Sequence, residues 1–126
     1  MSTVGRGTKI KISLEVNGLG EKTLKDNDVD FKITFYAKNR DSAVSGYYVV
    51  NKGDAGKAFA SAEDENVYHI ICDTTGLDLG TVGATLEVTY TDEDTNVELT
   101  EILQLTSDVK LIDVPQQQES NGGGGE

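Results

Sequence analysis

The sequence predicts an all-β protein, an antiparallel β-sandwich of about seven short strands. Apolar and polar residues alternate in several segments, 84–91 among them, and this period of two gives a strand one dry and one wet face. Turn-forming stretches such as 17–18 and 51–56 separate these segments. Val, Ile, Thr and Tyr recur, a single Pro is present, and no segment carries a convincing helical pattern.

The segment 83–106 organises the predicted fold, because it reads as two strands joined by the acidic turn 92–96. The first strand places its apolar residues on one parity: Ala84, Leu86, Val88 and Tyr90. The return strand does the same with Val97, Leu99, Leu103 and Leu105, while Glu101 is a misfit beside Ile102. Such a misfit indicates a bulge, or an edge at which the strand changes its facing. A two-stranded ribbon is only marginally stable in water, so we expect a second sheet to cover both dry rows.

The other elements follow in chain order. Strands are expected at 9–16, at 29–36 with its odd-numbered residues toward the core, and at 67–72. Very short strands are expected at 58–60, on a sheet edge, and at 109–112. The segment 73–80 is polar at its start and then carries Leu77 and Leu79, which predicts a single helical turn or tight corner whose leucines close one end of the core.

One segment is apolar on both parities: Gly46, Tyr47, Tyr48, Val49 and Val50. One interpretation is an interaction surface, because an outward row of Tyr and Val needs covering by a partner. The other interpretation is a central strand that is buried on both faces. We take these five residues as the candidate interface.

By length the chain is one domain. We expect an N-terminal arm at 1–8, the β-sandwich at 9–114, and a flexible, polar, Gly-rich tail at 115–126. The pattern is immunoglobulin-like in the broad sense, although it lacks the Cys…Trp…Cys signature, and a small barrel is the alternative fold. No apolar run approaches the roughly 20 residues that cross a bilayer, and 1–10 has no apolar signal-peptide core. We therefore expect no membrane association and synthesis in the cytoplasm.

Charge is unevenly distributed within the net charge of −11. Residues 1–57 hold ten Lys/Arg and seven Asp/Glu, a balance of +3, and residues 58–126 hold one Lys and fifteen Asp/Glu, a balance of −14. A field of this sign repels phosphates, so no nucleic-acid partner is expected. Acidic wet faces serve solubility and discourage edge pairing. The alternative is that copies associate head to tail, the basic region of one meeting the acidic region of the next.

The residue types that carry chemistry are sparse, and we predict no catalytic residue, no cofactor and no enzyme activity. Cys72 is the single cysteine and follows two isoleucines, which favours a small buried hydrophobe over a reactive thiol. His69 is the single histidine and lies within a predicted strand, so a multi-His metal site and a Ser-His-Asp triad are both unsupported.

Two acidic stretches, 26–30 and 92–96, match the opening of an EF-hand calcium loop. That loop needs Gly at its sixth position and Glu at its twelfth, and neither stretch has them. We assign no metal ligand, although a looser surface calcium site at Asp92, Asp94 and Asn96 remains an alternative.

The half from 67 to 112 carries a family resemblance. Its order is a strand ending in Asp-Thr, the motif Gly-Leu-x-Leu-Gly at 76–80, the strand Ala-x-Leu-x-Val at 84–88, an acidic turn, a Leu-rich strand and a closing Val-x-Leu-Ile. This resembles the small β-sandwich domains of structural proteins of tailed bacteriophages, including the N-terminal domain of upper baseplate proteins. It is also similar to short virion proteins of phages of Bacteroides-type hosts, crAss-like phages among them. The stretches TKIKISLEV and DVDFKITFYA fit the opening strands of those domains more loosely.

The resemblance implies a non-enzymatic virion component of capsid, head fibre, tail or baseplate, located in the particle after synthesis in the host cytoplasm. Its partners would be other virion subunits, with this chain present as a homo-oligomer or in repeated copies. The resemblance transfers no functional residues. The alternatives are a soluble adhesin or carbohydrate-binding module that uses Tyr36, Tyr47 and Tyr48, and an accessory or inhibitor domain of an enzyme.

Overall fold

The computed structural model describes residues 2–41 and 43–114. Eight strands and one 3-10 turn follow each other along the chain: β1 Ser2–Gly5, β2 Lys9–Glu15, β3 Asp30–Lys38, β4 Tyr48–Asn51, β5 Ala58–Ala60, β6 Val67–Asp73, the turn Thr74–Gly76, β7 Gly80–Thr91 and β8 Glu98–Ile112. The expected tail at 115–126 lies outside the described residues.

These strands form two sheets, and the predicted all-β sandwich is confirmed. The larger sheet has the order β1-β8-β7-β3-β4, and the smaller has the order β2-β6-β5. Every pair is antiparallel except β1 and β8, which run parallel from Ser2↔Val109 to Gly5↔Ile112. The large sheet is therefore the wider layer, with β3 and β7 near its middle.

The core is built on the facing rows of β3 and β7. Ile33 lies opposite Leu86, and Phe31 lies opposite Val88, in the antiparallel register. The odd-numbered residues of β3 and the even-numbered residues of β7 are all buried, as the alternation predicts. The smaller sheet packs over them with Leu14, Tyr68, Ile70 and Cys72, and the Tyr68 ring meets that of Phe31 edge to face at 5.1 Å between centroids. Burial of these facing rows is the main stabilising contribution to the fold.

The turn Thr74–Gly76 closes one end of this core. Thr74 is fully buried, and its Oγ1 donates to the Thr8 carbonyl oxygen at 2.7 Å while accepting from the Gly7 N–H at 2.8 Å. The Asp73 carboxylate caps the turn by accepting from the Thr75 N–H at 3.0 Å. Leu77 is buried as predicted, whereas Leu79 is half-buried.

Two elements differ from the sequence-based prediction. The segment expected as an arm at 1–8 instead supplies β1, which lies at one edge of the large sheet. The separate strands expected at 97–105 and 109–112 are one continuous strand, β8. The first difference depends on the pairing of β1 with the last four residues of β8. The second depends on β7, which pairs with β8 on both sides of a register irregularity.

Candidate interaction surfaces

The residues of the predicted interface at 46–50 face opposite sides of the large sheet. The segment leads into β4, an edge strand, so the alternative of a central strand buried on both faces is wrong. Tyr47 is 58% exposed and Val49 is also exposed, whereas Val50 is fully buried against β3 and Tyr48 is half-buried. Of the five candidate residues, only Tyr47 and Val49 are therefore available to a partner as large exposed side chains.

Gly46 has a packing role. A Cβ at this position would lie 2.2 Å from the Gly76 carbonyl oxygen, so the chain passes too close to the turn for any side chain. The Asp78 carboxylate holds the same segment by accepting from the Ser45 N–H at 2.7 Å and from the Ser45 hydroxyl at 2.9 Å. These hydrogen bonds, the backbone one first, lower the pKa of Asp78 below its ordinary value.

An aromatic groove of about 420 Å³ lies on the outer face of the large sheet, with Tyr36, Tyr47, Thr34, Thr85 and Glu87 among its lining residues. The Tyr36 ring leans over Gly83, where a Cβ would lie 3.0 Å from the ring, and its hydroxyl accepts from the Gln104 Nε2 at 2.6 Å. The structure thus brings two of the three candidate tyrosines together.

The third candidate tyrosine, Tyr48, has a different environment. It pairs with Phe35 on the core side of the large sheet, and the Lys57 Nζ lies 5.2 Å from its ring centroid. Tyr48 therefore does not contribute to the aromatic groove.

The open β8 edge, which we define as residues 98–108, is the surface that the sequence did not predict. On the side away from β7, β1 pairs only with Val109–Ile112, and no described strand pairs with residues 98–108. Leu99 and Leu103 face the core side yet are 39% and 37% exposed, and Ile102 on the outer side is 67% exposed. The expectation that a second sheet covers this dry row is therefore wrong.

The signal for this exposure was Glu101, the polar residue in the inward row. It lies opposite Val88 and accepts a hydrogen bond from the Tyr90 hydroxyl at 3.3 Å. The register between β7 and β8 is regular at Glu101, so no bulge occurs there. The one irregularity in this register lies between Thr81 and Gly83. Glu101 is half-buried, and its carboxylate stays hydrated because no layer covers this part of the inward row. The polar residue in the apolar row therefore marks the place where the covered core ends.

The open β2 edge, residues 9–15, lies on the same side of the sandwich. β2 is the outer strand of the small sheet, with Lys9 and Lys11 exposed and Ile10 and Ile12 half-buried. A small apolar cavity of about 70 Å³ is lined by Ile12 of β2 together with β8 residues 105–107. The unpaired edges of the two sheets therefore flank one opening of the sandwich.

Cys72 and His69, the single cysteine and the single histidine, both lie on β6. Burial, with a smaller contribution from the Asp73 carboxylate, raises the pKa of the Cys72 thiol to about 12. His69 Nδ1 lies 2.9 Å from the Ser13 hydroxyl on the neighbouring strand. The Ser13–His69 pair lies on the outer face of the small sheet, where Ser13 is exposed to solvent.

The acidic turn 92–96 is organised by internal hydrogen bonds. Asp92 accepts from the Thr95 hydroxyl at 2.7 Å and from the Thr95 N–H at 3.0 Å, and these contacts lower the pKa of Asp92. Asn96 adopts a positive φ of 58°. Within residues 2–41 and 43–114, no group of three or more His, Cys, Asp or Glu side chains has a geometry suited to a metal ion.

Comparison of the chain with protein-family models gives no match, and no curated protein matches it. In the part of the chain that the structure describes, no helix is long and apolar enough to cross a bilayer. The functional interpretation therefore depends on the geometry of the surfaces and on the sequence resemblance.

Proposed function

We propose that this protein is a non-enzymatic structural or assembly component of a tailed-phage virion, acting through protein–protein contacts. The observation that carries the proposal is the open β8 edge. No described strand pairs with this edge, and Leu99, Ile102 and Leu103 on it are exposed. Such an edge is a template for strand addition and favours association. The resemblance of 67–112 to phage structural domains supplies the setting in which such a partner is present.

A partner at this edge gains affinity in two ways. Backbone hydrogen bonds form with the unpaired groups of β8, and an apolar side chain of the partner covers the leucines that the small sheet leaves exposed. The other edge of the large sheet, β4, offers a shorter strand with Tyr47 and Val49 outward. We therefore place the principal contact on β8 and a second contact at the Tyr47 side.

The test is incorporation into particles. A phage lacking the gene is complemented with wild-type protein or with Ile102→Asp, and gradient-purified particles are analysed by quantitative mass spectrometry. We expect Ile102→Asp to fold normally but to be incorporated at least about tenfold less than wild type, because a charge at a desolvated contact costs roughly 1.4 kcal/mol or more. Phe59→Asp is the matched control, since Phe59 is an exposed apolar residue on an edge strand of the other sheet.

Two results would overturn the proposal: absence of the wild-type chain from purified particles, or equal incorporation of Ile102→Asp and wild type. Tyr47→Asp examines the second contact in the same assay. We expect a folded monomer with reduced incorporation, and an unfolded Tyr47→Asp protein would remove this residue from the interface.

A second candidate function, a soluble adhesin or carbohydrate-binding module, is favoured by the aromatic groove. Tyr36 and Tyr47 offer apolar rings with polar hydroxyls, and Thr34, Thr85 and Glu87 add hydrogen-bonding groups beside them. Glycan-array binding that is lost in Tyr47→Ala and retained in the control Phe59→Ala would establish this function. Absence of binding by the wild-type protein would exclude the groove as a site for the glycans on the array.

A further inference from the structure

We propose that copies of this chain associate head to tail, the acidic turn 92–96 of one copy docking in a basic cleft at the opposite end of the next. The cleft has a volume of about 470 Å³, and Lys38, Arg40 and Lys110 are among its lining residues. This surface is separate from the open β8 edge, so the inference goes beyond the proposed function and does not depend on it. The occupant of the cleft is a second copy of the same protein.

The strand register places the basic side chains of the cleft side by side. Thr81 at the start of β7 lies opposite Lys38 of β3 on one side and opposite Lys110 of β8 on the other. Opposite residues share a face of the sheet and neighbouring strands lie about 4.8 Å apart, so the Cα atoms of the two lysines are roughly 10 Å apart. Arg40 follows Lys38 by two residues, in the loop that leaves β3. The outer face of the large sheet therefore carries three cations and one hydroxyl group at this end.

These cations are accessible to a ligand. All three side chains are exposed, and within residues 2–41 and 43–114 none of them has a carboxylate oxygen within 4.0 Å. One carboxylate, that of Asp113, lines the cleft beside the three basic residues, which gives a local balance of +2 in a protein of net charge −11. The cleft is thus a positive site on an acidic molecule, and it favours an anionic occupant.

The acidic turn lies at the other end of the large sheet. β7 runs from Gly80, in the lining of the cleft, to Thr91, after which the turn begins. At about 3.3 Å per residue the two sites are roughly 36 Å apart, so a copy cannot bring its own turn to its own cleft. Segments 17–30 and 92–98 meet at this far end and hold eight Asp/Glu and two Lys, a balance of −6. The two ends of one molecule are therefore complementary in charge.

The tip of the turn presents two carboxylates to solvent. Asp92 accepts hydrogen bonds from Thr95, which hold the turn in shape, whereas Asp94 is exposed and the side chain of Glu93 is 70% exposed. The Lys22 Nζ lies 3.9 Å from the Glu93 carboxylate, a long distance for an ion pair. Docking brings the two exposed carboxylates beside the three cations of the cleft, and the opposite charges stabilise the contact and fix its orientation.

A contact between two different surfaces is heterologous. Each copy offers one turn and one cleft, so association continues beyond a dimer, into an open chain or a ring. The contact leaves the open β8 edge accessible to a different partner.

The test uses purified full-length protein and sedimentation velocity from about 20 to about 500 µM, in about 20 mM and about 500 mM salt. Exposed ion pairs are individually weak and are screened by salt. We therefore expect a dissociation constant on the order of 100 µM at low salt that rises at least about tenfold at high salt. Species larger than dimers should appear as the concentration rises, because the contact is heterologous.

Two neutralised variants locate the contact. E93Q/D94N removes the exposed charges of the turn, K38Q/R40Q/K110Q removes those of the cleft, and each should weaken self-association at least about tenfold. An equimolar mixture retains one intact turn and one intact cleft, so we expect it to form 1:1 dimers and no larger species. Circular dichroism melts verify that each variant is folded.

Three control variants carry comparable changes elsewhere. K9Q/K11Q removes two lysines from β2, E119Q/E126Q removes two carboxylates near the end of the chain, and Ile102→Asp alters the open β8 edge. Each should associate like wild type, because none of these residues belongs to the turn or to the cleft.

A wild-type protein that stays monomeric at about 500 µM and low salt overturns the inference. A mixture that forms no 1:1 dimers overturns it as well, and so does a control variant that loses as much association as E93Q/D94N, because a different surface or a different occupant would then be responsible. These outcomes are separate from those of the incorporation assay. A monomeric protein can still be incorporated through its β8 edge, and a self-associating protein absent from particles would refute the proposed function while leaving this contact intact.

Discussion

Strands β3 and β8 carry the same alternation of apolar and polar residues, but they meet different environments. In β3, Phe31, Ile33 and Phe35 are at most 2% exposed. In β8, Leu99 and Leu103 occupy the equivalent inward row and are more than one third exposed. Alternation therefore identifies a strand and its apolar face, and it does not tell whether another layer covers that face.

The widths of the two sheets explain the difference. Neighbouring strands lie about 4.8 Å apart, so a layer of three strands is roughly 10 Å narrower than a layer of five. β4 and β6 are in contact across the layers, which aligns the small sheet with the β4 side of the large one. The inward row of β8 is therefore left uncovered at Leu99 and Leu103, whereas Leu105 packs against the core.

Truncation of one inward-facing residue in each strand gives the largest expected contrast. Ile33→Ala should lower the free energy of unfolding by about 2–5 kcal/mol, because Ile33 is fully buried and its loss leaves a cavity. Leu103→Ala should lower it by about 1 kcal/mol or less, since the side chain already contacts water. Urea unfolding followed by circular dichroism measures both values, and equal losses would contradict a covered β3 and an uncovered β8.

A smaller effect is expected at the entrance to β4, the other edge of the large sheet. Gly46→Ala should destabilise the protein by about 1–3 kcal/mol, because the new methyl group meets the Gly76 carbonyl oxygen, a backbone atom that cannot turn aside. Gly53→Ala is the matched control, as a Cβ there meets nothing within 4 Å. Thermal melts that shift equally for both variants would show that the close approach at Gly46 is not a constraint.

The same entrance should respond to acid. The pKa of Asp78 is lowered by hydrogen bonds from Ser45, so the folded state gains stability from the ionised carboxylate above the ordinary carboxyl pKa. That stability is lost as the pH falls through the lowered folded-state pKa. Melting temperatures between about pH 2 and pH 6 should therefore depend less on pH in Asp78→Asn than in wild type. Asp113→Asn, at an exposed position, is the control, and an unchanged profile for Asp78→Asn would contradict the assigned role.

The smallest expected effect is at Cys72, which reports on the covered region. Because the pKa of this thiol is about 12 and the side chain is fully buried, it should not react with a disulfide reagent near pH 8 while the protein is folded. Ile33→Ala should speed labelling by increasing opening of the core, and Leu103→Ala should leave the rate nearly unchanged. Rapid labelling of the native wild-type protein would contradict the burial of β6 against the core.

Sequence reasoning located the features that depend on neighbours in the chain. The burial parity of β3 and β7, the short edge strand at 58–60 and the buried Cys72 follow from period and composition alone. It failed where contacts between distant residues decide. Nothing local in 2–5 indicates pairing with 109–112, and nothing local at 106–109 indicates that β7 pairs with β8 on both sides of a register irregularity. The candidate interface stays a prediction, and apolar character on both parities could not separate outward Tyr47 from inward Val50.

The parallel pairing with β1 limits the length of the β8 edge that a partner can reach. The four residues of β1 cover the edge of β8 at 109–112, and the linker that follows them includes Gly7 at a φ of 106°. Loss of the β1 pairing would expose the edge of residues 109–112 and lengthen the open β8 edge from 98–108 to 98–112.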